Sequence, residues 1–162
     1  MRQPLPGEQI PFDGESDAPV DLGGRPTYGA LMVEDPLGQA GPAMLVLSYG
    51  RRWNRLWRQT PLGLRDDAPA MGLDGDAVRH GAYPDWIKER AKTDPRFERP
   101  DESPFRAGGN TFDAAAGDLD NDGDLDLLIT EITHGWAGES SDRTRVLFLE
   151  GGVYRERPGW SL

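Results

Sequence analysis

Asp118–Asp126 reads DLDNDGDLD and runs directly into LLITEI at 127–132. Five aspartates take every second position of this stretch, with no Lys or Arg among them. Calcium takes about 6–8 hard oxygen ligands. A short loop supplies them by alternation, so the carboxylates of Asp118, Asp120 and Asp122 are expected to converge on one point. Gly123 stands where the chain must turn sharply, and a positive φ is easiest for glycine. The backbone carbonyl of Asp124 and the carboxylate of Asp126 would complete the set. Calcium is thus the expected cofactor. Magnesium is the lesser alternative, because it demands tighter octahedral geometry and keeps its waters. Without an ion, five like charges this close repel one another and weaken the turn.

The segment C-terminal to the loop decides its setting. An EF-hand needs a bidentate Glu at its twelfth position and a helix on each side. Here that position is Ile129, and LLITEI is apolar and β-branched. The loop is therefore expected to join two β-strands.

Outward from it, the same strand grammar recurs. TFDAAAG (111–117), LLITEI (127–132), RVLFLE (145–150) and VYRERP (153–158) are strand-length runs separated by turns. Upstream, YGALMVE (28–34), AMLVLSYG (43–50) and NRLWRQ (54–59) form a second set. The succession of run, turn, run, loop and run reads as an internal repeat of antiparallel meanders. Residues 1–26 read as an irregular lead-in, 27–65 as the first β-unit, 66–109 as an insertion and 110–162 as the calcium-binding unit. In the insertion, Tyr83–Lys92 is expected to form a short helix with Trp86, Ile87 and Arg90 on one face. Incomplete order is expected over 94–107, where prolines and charges dominate.

The chain's 162 residues suit one domain. Gly (21) and Pro (14) stand well above average usage, which favours short strands and turns over a helical bundle. The net charge of −10 repels phosphate backbones and anionic membranes, so nucleic acid is disfavoured as a partner. The absence of cysteine removes disulfides, thiolate zinc sites and cysteine nucleophiles. No apolar run is long enough to span a membrane, so no membrane insertion is expected. The N-terminus carries no signal-peptide pattern. The chain is expected to be cytoplasmic or a piece of a longer exported protein.

GNTFDAAAGDLDNDGDLDLLITE (109–131) resembles the FG-GAP/VCBS repeat, the β-propeller blade also found in integrin α-subunits. NRLWRQTPLG (54–63) resembles that family's N-x-L-[YW] strand. The resemblance implies an all-β fold of about two antiparallel four-stranded propeller-type blades, with a long, partly helical insertion. It implies calcium on Asp118, Asp120, Asp122, Asp124 and Asp126. The first unit retains only Asp35 in the corresponding loop (35–43), so that copy is expected to hold no calcium. The implied function is a non-enzymatic, extracellular or periplasmic calcium-binding repeat module for binding or cell adhesion, with calcium as a structural ion. The alternative is the non-catalytic propeller portion of a secreted enzyme. The implied partners are a protein or glycan ligand, and further blades from the same or another chain.

Two other clusters carry chemistry. His134 and Trp136, flanked by glycines in THGWAGESSDR (133–143), form a candidate ligand-stacking surface. The same loop holds Ser140, Ser141 and Asp142, but proximity in sequence does not make a catalytic triad. RRWNRLWRQ (51–59) is read as an amphipathic strand, with Trp57 in the core and its arginines paired with nearby acids.

Overall fold

The computed structural model describes residues 10–11, 19–20, 27–34, 41–50, 52–78, 80–95, 105–106 and 109–160. A short pair, β1 (Ile10–Pro11) and β2 (Pro19–Val20), precedes two four-stranded sheets. The first runs β3 (Thr27–Val33), β4 (Ala43–Ser48), β5 (Arg55–Thr60) and β6 (Gly63–Asp66) in spatial order. Then come α1 (Ala68–Met71), β7 (His80–Gly81), α2 (Asp85–Ala91) and β8 (Phe105–Arg106), with β7 paired to β8. The second sheet holds β9 (Thr111–Gly117), β10 (Asp126–Glu131), β11 (Arg145–Glu150) and β12 (Val153–Glu156). Every pairing within the sheets is antiparallel.

Side chains alternate across a strand, so one parity of each run faces inward. In β4, Ala43, Leu45 and Leu47 are fully buried, while Met44 and Val46 are half-buried. Leu45 lies opposite Leu31 on one neighbour and Leu56 on the other. In the second sheet, Leu127 lies opposite Ala116 and Leu147. These inward faces share one core with Ile129 and Tyr154. The sheets approach each other along β3 and β9. A Cβ on Gly29 would lie 3.2 Å from the Phe112 carbonyl oxygen, so this approach depends on glycine.

Neither sheet curls or closes, and no ring of sheets is formed among the described residues. This overturns the expected all-β architecture of propeller-type blades. The molecule is a mixed α/β structure of two flat, open antiparallel sheets with a few short helices. The strand runs were legible, but their assembly follows burial. The segment after β6 contributes Ala68, Met71 and Leu73 to the same core, so both sheets and α1 bury their apolar faces together.

Local differences have similar causes. In β5, Leu56 takes the core position, and Trp57 on the opposite face is only half-buried. Arg55 pairs with Asp66, and Arg58 with Asp67 at 2.6 Å. In α2, Ile87 is buried but Trp86 is 53% exposed, and Pro84 sits just before the helix. The lead-in 1–26 is described only at β1 and β2. Asp35 and the rest of 35–40 lie outside the described residues, as does most of 94–107. Among the described residues, no helix is long and apolar enough to cross a membrane.

Candidate metal centre

The loop between β9 and β10 folds on its own carboxylates. Asp118 accepts the backbone N–H of Asp122 on Oδ1 and that of Gly123 on Oδ2, both at 3.1 Å. Asp120 Oδ1 also accepts the Asp122 N–H, at 3.3 Å. Asp122 Oδ1 accepts the N–H of Asp124 at 2.9 Å. Asn121 (φ 63°) and Gly123 (φ 97°) both take the left-handed region, which turns the chain back on itself.

Carboxylate oxygens of Asp118, Asp120 and Asp126 come within 4.8 Å of one another, so this cluster could coordinate a metal ion. Asp126 is buried, Asp120 partly so, and Asp118 is exposed. Asp122 and Asp124 are exposed and stand outside that group. Each carboxylate oxygen offers about two lone pairs. The hydrogen bonds to Asp118 and Asp126 occupy one per oxygen, so the donor set suits a hard cation.

Asp126 is the anchor. Its Oδ2 accepts the Leu119 N–H at 2.9 Å and its Oδ1 the Leu149 N–H at 3.1 Å. It thus ties the loop to the end of β11. On the open side, the Arg157 guanidinium bonds Asp120 Oδ2 and Glu150 Oε1, each at 2.6 Å. It also lies 4.0 Å over the Phe148 ring. The Arg157 hydrogen bond holds the Asp120 carboxyl below the usual carboxylate range.

The second candidate loop is built differently from a hydrolytic triad. His134 stacks on Trp136, with ring centroids 5.3 Å apart, and its Nε2 lies 3.4 Å from the Tyr49 hydroxyl. Ser141 Oγ accepts the His134 backbone N–H at 2.7 Å, and Ser140 Oγ donates to the Ala137 carbonyl. Asp142 is fully buried and turned away toward Asn110, whose backbone N–H and Nδ2 both donate to Oδ2 at 2.9 Å.

Sequence reasoning missed the charged group beneath this loop. Glu131 accepts from Arg145 Nη2 at 2.8 Å, and both side chains are buried. Burial pushes Glu131 up to about 7 against the pull of Arg145. Burial likewise pushes Asp142 up to about 6, opposed by the Asn110 hydrogen bonds. A signal was present in the strand parity. Glu131 shares the inward face of Ile129, and Arg145 that of Leu147.

Comparison with family models, with curated proteins and with solved structures finds no match. The resemblance to the FG-GAP/VCBS repeat is therefore corrected: no family model matches, and the sheets lack the curvature and closure of propeller blades. The reading as a propeller repeat module for binding or cell adhesion falls with it, as does its alternative as an enzyme's propeller portion. The acidic cluster stands apart from that correction, because it rests on side-chain positions.

Proposed function

We propose that the Asp118–Asp126 loop binds calcium as a structural ion, and that the chain is a non-enzymatic, cation-stabilised protein. The observation behind this is the convergence of the Asp118, Asp120 and Asp126 carboxylates, with the buried Asp126 already fastened to Leu119 and Leu149. An ion held there would join the β9–β10 hairpin to β11. Calcium is favoured over magnesium because it accepts a flexible shell of oxygen ligands, whereas magnesium demands near-ideal octahedral geometry and keeps its waters. A ligand fixed by backbone hydrogen bonds supports a structural rather than a catalytic ion. An extracellular or periplasmic setting, with abundant calcium, would keep even a modest site filled.

Thermal unfolding with calcium, with magnesium and with chelator tests the reading. An ion that binds only the folded state raises the midpoint by mass action. Calcium should raise it more than magnesium at equal concentration, and Asp118→Ala should remove the response. Equal midpoints in calcium and chelator would overturn the proposal.

A further inference from the structure

At the opposite end of β9 from the acidic loop, Tyr28 and Phe112 meet across the two sheets. Their ring centroids lie 5.4 Å apart, yet the residues remain 53% and 48% exposed. Tyr49 packs edge-on against Tyr28 at 5.1 Å and is backed by His134, so the pair is held from behind. Beside them, Asp113 Oδ1 accepts the Ala114 N–H at 2.9 Å and would lie only 2.8 Å from a Cβ on Gly29. Asp113 is exposed and has no ion-pair partner among the described residues.

We propose that Tyr28, Phe112 and Asp113 form a docking point for a Lys or Arg side chain on a basic peptide segment of a partner protein. Ring faces carry negative charge density and attract a cation within about 6 Å of the centroid. Asp113 follows Phe112 in β9 and its Oδ1 lies against Gly29, the neighbour of Tyr28, which brings a full negative charge close to the two residues. The net charge of −10 repels anionic ligands and draws cationic ones toward the surface. A purely apolar partner would have to strip water from Asp113 without compensation, which is costly. Charge and ring chemistry therefore select the same kind of partner.

The test is fluorescence anisotropy of a labelled hexa-arginine peptide at physiological salt, with chelator present. Asp113→Asn and Phe112→Leu should each weaken binding roughly three- to fivefold, whereas Phe112→Tyr, which keeps the ring, should bind like the wild type. Glu34→Gln removes the same charge at the far end of β3, from an exposed residue, and should have less than about a twofold effect. Circular dichroism of each variant separates lost binding from lost folding. Equal weakening by Asp113→Asn and Glu34→Gln would reduce the effect to general acidity and overturn the docking point. So would wild-type protein that fails to bind the peptide. Binding of the neutral glucan cellohexaose in place of the peptide, lost in Phe112→Leu, would overturn it in favour of a glycan site.

Discussion

Asp126 Oδ1 accepts the backbone N–H of Leu149 at 3.1 Å, joining the first residue of β10 to the penultimate residue of β11. The same buried carboxylate receives Leu119 on its other oxygen. One side chain thus sets both the closure of the acidic loop and its seat on the sheet.

Removing that side chain should destabilise the protein even without metal. Asp126→Ala leaves two backbone donors without their acceptor, a cost of roughly 2–4 kcal/mol. Asp126→Asn keeps one acceptor oxygen and should lose about half as much. Urea unfolding in chelator measures both. A loss below about 0.5 kcal/mol for the alanine variant would show that water or a backbone shift replaces the carboxylate.

Arg157 occupies Asp120 Oδ2, so it would compete with a cation that used that oxygen. Arg157→Gln should lower the midpoint in chelator, because Asp120 and Glu150 lose their shared guanidinium. It should enlarge the rise on adding calcium, because one ligand is released. Paired thermal scans check this. A smaller calcium response in the variant would mean that Arg157 orders the loop for the ion instead of competing with it.

Stability should fall as pH rises through the neutral range. Glu131 (about 7) and Asp142 (about 6) are raised by burial above their ordinary values. The folded state therefore binds protons more tightly than the unfolded chain does. Their contribution is complete below about pH 4 and is lost as pH passes 6 to 7. Asp67 has the opposite sign. Burial raises its carboxyl, but its arginine partners outweigh burial and lower it, so its contribution is lost only as pH falls below the ordinary range. Urea unfolding should thus give higher stability at about pH 5.5, below both folded values, than at about pH 8, above both. Glu131→Gln should flatten the difference. An unchanged slope in that variant would move the effect to other groups.

The seam between the sheets should resist any added side-chain atom at Gly29. A Cβ there would meet Asp113 Oδ1 at 2.8 Å, Leu47 Cδ1 at 3.2 Å and the Phe112 carbonyl oxygen at 3.2 Å. The first contact can relax by rotation, but the last is backbone. Gly29→Ala should cost about 1–3 kcal/mol. Adding Asp113→Ala should recover only part of that loss. Full recovery would locate the whole strain in the Asp113 side chain.

Much of the local structure was determined by sequence alone. Period-two alternation placed the strand runs, because a half-buried strand must show one apolar parity. The alternating aspartates, with Gly123 at the bend, announced a loop of converging carboxylates with Asp118, Asp120 and Asp122 at its centre, whereas the group within reach of one another is Asp118, Asp120 and Asp126. Repulsion among those charges is relieved by hydrogen bonds or a cation, whatever the surrounding fold. Tertiary structure decided how the sheets assemble. Ala68, Met71 and Leu73 close the core between two open sheets, and no local pattern states which distant surface an apolar residue will cover. It also decided the fates of similar residues. Leu56 is buried where Trp57 is not, and Glu131 and Arg145 are drawn inside where other charges stay in water. Burial depends on what packs opposite, and β3 meets β9 across more than eighty positions of sequence.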